Sequence, residues 1–284
     1  MWATDTRPVI HAAVEAAQAC VSQSRSRNRE IDTALQEALS DFDVNSKAYQ
    51  QAGKAGALHT LTAADFPSPG SLSPERVKWL YKQRLKNPGR KAAYAIYVRL
   101  RSSGPNGYCA YCRYQNAGTL DHFLPKAEFG MLAIEPWNLV PCCTECNGNR
   151  NERSPDSRLI HPNFLDHELG RWLYGSVVTH DPVLIEFFAE PAERIGEDLG
   201  QRVRDQFRAL KLADLYSKVA ADTIANAKAD LRRSGGNLQI DDARAHLLDE
   251  SMRAFDVNPN FLRGVVYEAL ANDETFIRNM LASQ

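Results

Sequence analysis

Two Cys-x-x-Cys pairs, Cys109/Cys112 and Cys143/Cys146, bracket the run Leu120-Asp121-His122-Phe123-Leu124-Pro125-Lys126. Four thiolates at this spacing close a tetrahedral metal site of the structural zinc kind. The chain between the pairs must then leave and return to one ion, which constrains its fold more than any other feature does. An Asp-His pair on that enclosed stretch is placed to do chemistry. One ion would fold the unit and a second would work at Asp121 and His122.

Cys20 and Cys142 are left over as free thiols. Cys20 sits in an alanine-rich helical pattern and reads as core, while Cys142 abuts a ligand and competes for the assignment. Six cysteines in 284 residues are far below the density of a disulfide scaffold and suit a reducing compartment. An apolar content of 44% lets a chain of this length bury a substantial core, as one large domain or two to three small ones. No apolar run approaches the roughly 18 residues of a membrane span, and Met1 to Pro8 lacks the layout of a signal peptide. A soluble, cytoplasmic protein with no membrane partner is expected.

Three sections follow from the pattern. Residues 1–75 form the first, an N-terminal helical region whose periodicity runs from about Pro8 to Ser40, as in Val9, Ala12, Ala13 and Ala16 and then Ile31, Leu35 and Leu39, with the polar stretch Ser22 to Asn28 between. Pro67-Ser68-Pro69-Gly70-Ser71 reads as a turn, and Ser73-Pro74-Glu75 as a helix start with proline at the first helical position. Residues 76–165 open with two helices, Glu75 to Lys86 and Lys91 to Arg101, separated by Asn87-Pro88-Gly89. Gly104-Pro105-Asn106-Gly107 then turns the chain into the first cysteine pair.

Residues 166–284 are again mostly helical. A hairpin is predicted from Trp172 to Val178 and Val183 to Phe188, packing on the cysteine section. One long amphipathic helix over Leu199 to Leu231, stopped by Ser234-Gly235-Gly236-Asn237, precedes shorter helices near Asp241 to Phe255, Pro259 to Leu270 and Glu274 to Ala282. Such helices offer a docking surface for a partner or for a second copy of the chain.

The net charge is −1, yet from Arg76 to Leu120 there is no acidic residue. Lys82, Arg84, Lys86, Arg90, Lys91, Arg99 and Arg101 all fall there, a basic run suited to the phosphates of nucleic acid. The competing reading is a solvated helix face balanced by acidic surface from elsewhere. Contacts to backbone phosphates carry no sequence information.

Phosphodiester hydrolysis needs an activated water, a cation for the charge growing on phosphate and leaving oxygen, and a scaffold that holds both. His122 titrates near neutrality and suits the general base. Asp121 can ligate a hard cation such as Mg2+ or Mn2+ while the next side chain along an extended strand points to the other side. Asn147, directly after Cys146, can offer a second oxygen, and Asn151, one turn later on the same helix face, can assist. Lys126 and Arg150 can neutralise the phosphate or make nonspecific contacts. His161, before Pro162, either folds back towards the metal or turns the chain.

Cys109-x2-Cys112, Asp121-His122-Phe123-Leu124-Pro125-Lys126, Trp137-Asn138-Leu139-Val140-Pro141 and Cys143-x2-Cys146-Asn147 together resemble the HNH, or ββα-metal (His-Me finger), nucleases. The match spans Tyr108 to Pro162, about a fifth of the chain. The resemblance implies that His122 activates the water and that Asp121 and Asn147 bind the catalytic divalent ion. It also implies that Asn138 hydrogen-bonds the loop that aims His122, and that the cysteines carry a separate zinc. Asparagine at 147, where the namesake pattern has histidine, resembles the His-Asn-Asn version and favours a hard ion over Zn2+ or Ni2+. More loosely, these motifs with Leu159-Ile160-His161-Pro162 are similar to HNH nucleases of bacterial anti-phage systems, including the Septu type that works with an ATPase partner.

The fold class expected is α+β, mainly α, with a small zinc-stapled ββα module between N- and C-terminal helical regions. Its strands lead to His122 and to Cys143, and its helix starts at Cys146. The activity expected is that of a metal-dependent endonuclease, with DNA favoured over RNA as substrate. The competing class is a non-catalytic zinc-containing module that binds nucleic acid or protein.

Overall fold

The computed structural model describes residues 12–21, 29–151, 158–165, 169–233 and 238–282. Among the described residues the chain is mainly helical, with eleven α-helices and two separate two-stranded sheets. It divides between residues 166 and 167 into two compact units. The N-terminal helices and the cysteine section, expected as separate regions, therefore fold as one.

The first unit opens with α1 (Ala13–Cys20), α2 (Arg29–Glu37) and α3 (Leu39–Lys54), which pack on one another. Most of α3 was not anticipated, because its buried face mixes Phe42 with the polar Asn45, Ser46 and Tyr49. Ser46 and Tyr49 reach the polar groups of Glu135 and Asn138, so no apolar stripe marks this face in the sequence. In α4 (Pro74–Leu80), Ser73 Oγ accepts the Arg76 amide at 3.4 Å and Pro74 takes the first helical position.

A π-helical turn over Tyr81–Leu85 follows, closed by the Lys86 amide donating to the Tyr81 carbonyl at 2.9 Å. The wider turn brings Tyr81, Arg84 and Leu85 all inward. Beyond Asn87, whose Oδ1 accepts the Gly89 amide, α5 (Lys91–Ser102) buries Ala93, Ile96, Tyr97 and Leu100.

The polar turn at Gly104-Pro105-Asn106-Gly107 delivers the chain to β1 (Thr119–His122), which pairs antiparallel with β2 (Leu139–Cys142). Asp121 lies opposite Val140, and His122 opposite Leu139. Helix α6 (Thr144–Asn151) packs on β1, and α5 packs on β2. Between the strands the chain crosses α4, where a Cβ at Gly130 would stand 2.6 Å from Pro74 Cβ. Only glycine permits that approach.

In the second unit β3 (Leu173–His180) and β4 (Val183–Ala189) form the expected hairpin across Asp181-Pro182, with a bulge at Val178. Val183, Ile185 and Phe187 alternate inward along β4. The long helix expected here is two: α7 (Glu197–Ala209) and α8 (Leu212–Arg233) break where Lys211 turns left-handed at φ 51°. The apolar period runs through the break because Val203, Phe207, Leu212 and Leu215 all still face the core. The proposed stop at Ser234 to Asn237 lies outside the described residues.

Helices α9 (Ile240–Val257), α10 (Leu262–Ala271) and α11 (Glu274–Ala282) complete the unit. The hairpin packs on α8 and α10, where its apolar face meets theirs. Among the described residues no helix is long and apolar enough to cross a membrane.

Asn260 ties this unit together locally: its Oδ1 accepts the amides of Trp172 at 2.7 Å and Leu173 at 2.9 Å, and its Nδ2 donates to the Gly170 carbonyl at 2.7 Å. Asn260→Ala strands three backbone groups at the start of β3 and is expected to cost about 2 kcal/mol or more. Urea unfolding followed by circular dichroism measures it, and a parental midpoint would contradict the assignment.

Candidate functional site

The four paired cysteines converge. The Sγ atoms of Cys109, Cys112, Cys143 and Cys146 lie within 4.8 Å of one another, all buried and none in a disulfide. Zinc–sulfur bonds of about 2.3 Å in a tetrahedron put sulfurs about 3.8 Å apart, against 4.0 Å observed between Cys112 and Cys143. The set fits a thiophilic metal ion.

Local backbone explains the convergence. Tyr108 bridges to Asn116, Cys109 N donates to the Gln115 carbonyl at 2.7 Å, and Arg113 takes a left-handed φ of 59°, so the first pair sits in a tight reversal. The Ala110 amide ties this reversal to Pro141 of β2 at 2.9 Å. Cys143 stands at the start of α6, where its Sγ accepts the Cys146 amide at 3.3 Å. Hydrogen bonds from Cys109 and the other two thiols hold Cys143 well below the usual thiol range. Cys142 points away from the cluster, and burial raises its thiol.

His122 ends β1, buried with its ring edge-on to Tyr81 at 4.5 Å between centroids. Nε2 lies 2.9 Å from the Ala133 carbonyl. A carbonyl only accepts, so Nε2 carries the hydrogen and Nδ1 keeps the lone pair. Burial, with the charges of Lys126 and Lys86 adding to it, pushes the imidazole down to about 3.

The loop that carries Ala133 is clamped by Asn138. Its Oδ1 accepts the Leu124 amide at 2.7 Å and the Tyr49 hydroxyl at 3.1 Å, and its Nδ2 donates to the carbonyls of Leu124 at 3.1 Å and Leu132 at 3.3 Å. Glu135 caps the turn before Asn138, accepting the Trp137 amide and the Ser46 hydroxyl at 3.1 Å each, while burial lifts its carboxyl to about 7.

Asp121 faces the other side of β1. Its Oδ2 accepts the Tyr111 hydroxyl at 2.7 Å and pairs with Arg150 Nε at 2.6 Å. Arg150 is thus turned inward, donating also to the Phe123 carbonyl and stacking on the Phe123 ring at 4.5 Å. Expected as a phosphate contact, it is held by Asp121 because a carboxylate buried without a cation is costly. Asn147 precedes Arg150 by three positions on α6, a spacing that puts the two on one side of the helix. The side chain of Asn151 lies outside the described residues.

His161 is buried against Phe123 and Phe164, with Nε2 on the Trp137 carbonyl at 3.0 Å and Nδ1 accepting the Asn163 amide at 3.1 Å. With both nitrogens engaged it serves the turn and leaves none for a metal. Of the basic run, Arg84 is the exception. It is 1% exposed, and its Nη1 bonds Asp32 at 3.0 Å and the Cys20 carbonyl at 2.9 Å, so it holds the helices and meets no polyanion. Lys82, Lys86, Lys91 and Arg99 are exposed, and Arg90 and Arg101 half-buried. Tyr49, Tyr111, Tyr81 and Glu135 were not singled out in the sequence. Tyr49 and Glu135 reach the site through tertiary packing alone, whereas Tyr111 lies inside the first cysteine pair.

No family model matches this chain, and no solved structure does. It is similar to Ea31 of Escherichia phage lambda. The two are 26% identical over 230 residues, which span 74% of this chain and 76% of Ea31.

Two outcomes follow. Cys112→Ser is expected to abolish bound metal, measured per chain by elemental mass spectrometry, and retention of the parental metal content would sink the cluster. His122 and His161 are both lowered from 6.5 to about 3 in the folded state, so the unfolded chain binds protons there that the folded chain does not. Their contribution is therefore fully present above pH 6.5 and falls as pH drops towards 3, by up to about 1.4 kcal/mol per pH unit for each. Imidazole NMR signals are expected not to titrate between about pH 8 and pH 5; a midpoint near 6.5 for either contradicts its burial.

Proposed function

We propose that this chain is a metal-dependent endonuclease of the HNH kind that hydrolyses phosphodiester bonds, with DNA as the favoured substrate. The observation that carries the reading is the aimed imidazole: His122 Nε2 is committed to Ala133, its loop is locked by Asn138, and Nδ1 is left as a proton acceptor. Burial keeps the ring neutral but makes it a weaker base than a free imidazole, so this reading needs the negative charge of a bound phosphate to raise its affinity for the proton. In this reading the four cysteines hold structural Zn2+, and the helix they cap presents Asn147 towards the strand of Asp121.

In the reaction a water gives its proton to His122 Nδ1 as its oxygen bonds to phosphorus. The phosphorus–oxygen bond on the far side breaks, and the leaving oxygen takes up a proton. A divalent cation such as Mg2+ or Mn2+, held by Asp121 and Asn147, would supply positive charge to the phosphate and the leaving oxygen. Both contacts to Asp121 fall on Oδ2, so Oδ1 is the oxygen proposed as ligand.

The Arg150–Asp121 pair favours a second reading, a zinc-containing binding module without catalysis, because it already neutralises the carboxylate. The motif likeness extends the first reading to an anti-phage effector working with an ATPase, and co-purification of the two tests that extension.

Plasmid, single-stranded DNA and RNA, each incubated with Mg2+ and with EDTA, separate the readings. Cleavage is expected with Mg2+ alone, and His122→Ala is expected to lose about 10^2- to 10^4-fold in rate. Parental cleavage by that variant removes His122 from the mechanism, and an inert parent that still binds DNA favours the module.

A further inference from the structure

Lys126 and Lys86 approach His122 from two different parts of the chain. Lys126 follows β1, and its Nζ stands 5.2 Å from the centroid of the Tyr81 ring, whose edge in turn meets the His122 ring. Lys86 closes the π-helical turn that begins at Tyr81, and its charge reaches both Lys126 and His122. Both lysine side chains are exposed.

Both lysines adjoin Tyr81, Lys126 through its ammonium over the ring and Lys86 through its amide on the Tyr81 carbonyl at 2.9 Å, and like charges that sense each other repel. Among the described residues neither Lys86 nor Lys126 has a carboxylate at ion-pair distance. The carboxylate that Lys126 does sense, Asp121, is engaged by Arg150 on the other face of β1. Burial holds the Lys126 ammonium below its ordinary value, and Lys86 lowers it further. An anion beside both would offset the repulsion and the partial desolvation of Lys126.

We propose that Lys126 and Lys86 form an anion site at the edge of His122 which takes a phosphate of the nucleic-acid backbone, with the Tyr81 ring as its floor. The assignment rests on the nuclease reading for the identity of the polyanion. It selects between the two cations that the motif offered to the phosphate: Arg150 is committed inside the fold, and Lys126 stands at the surface beside the base. It also singles out Lys86 from the basic run, because Lys86 closes the turn that begins at Tyr81, the residue whose ring meets His122, while neighbours such as Lys91 begin the following helix.

Binding without catalysis tests the site. A short labelled DNA duplex in EDTA is titrated with the full chain over about 50 to 200 mM salt, and affinity is plotted against salt on logarithmic axes. Lys126→Ala and Lys86→Ala are each expected to flatten the slope by about 1, and Lys126→Arg to restore it. Lys47→Ala, at an exposed pair with Asp43 on α3, is the control expected to keep the parental slope. Parental slope and affinity in Lys126→Ala and Lys86→Ala overturn the site. Should Lys126→Ala fail to fold, Lys86→Ala decides alone. If the slopes change as expected but the parent cuts nothing with Mg2+, the anion site stands and the nuclease reading falls; unchanged slopes with full cleavage give the reverse.

Discussion

Four sulfurs drawn into one buried cluster hold together a sheet too small to stand alone. The strands β1 and β2 share only four residue pairs, and an isolated two-stranded sheet of that length is marginal in water. The cluster joins the reversal before β1, the end of β2 and the start of α6. Crowded thiolates repel one another unless a cation lies among them, so the same contact that closes the unit calls for an ion. The buried clamp of Asn138 then fixes the segment between the strands, which the sulfurs do not touch.

On this frame β1 separates two chemistries by alternation. Asp121 and His122 are neighbours in sequence and face opposite ways, and each is buried among different partners. Burial keeps the imidazole neutral, while the carboxylate has Arg150 beside it as counter-ion. The divalent ion proposed at Asp121 would enter a pair already made. Its affinity would be set by the difference between two cations rather than by the charge of the carboxylate alone. His161, with no charge and two backbone partners, belongs to the packing beneath this arrangement.

Much of this was readable beforehand. The cysteine spacing, the two strands around Asp121 and His122, a helix through Cys146 that in fact begins two residues earlier at Thr144, the capped start of α4 and the hairpin of β3 and β4 all rest on local chemistry that a single stretch of chain displays. The basic run was readable only as a composition. Arg84 and Lys86 look alike in sequence, yet one π-helical turn buries the first against Asp32 and leaves the second at the surface. Helix α3 was missed for a related reason: Ser46 and Tyr49 face inward to meet Glu135 and Asn138, and polar inward residues erase the apolar period.

Spacing and periodicity record which groups are neighbours along the chain, so they settle the metal cluster, the Asp-His pair and most helices. They do not record which distant groups share one buried space. Arg150 turned from a phosphate contact into the counter-ion of Asp121 because an uncompensated carboxylate cannot stay buried. Lys126 and Lys86 both adjoin Tyr81, whose ring packs on His122, although the sequence keeps their segments far apart. Those outcomes follow from desolvation and close packing, which exist only once the chain has folded.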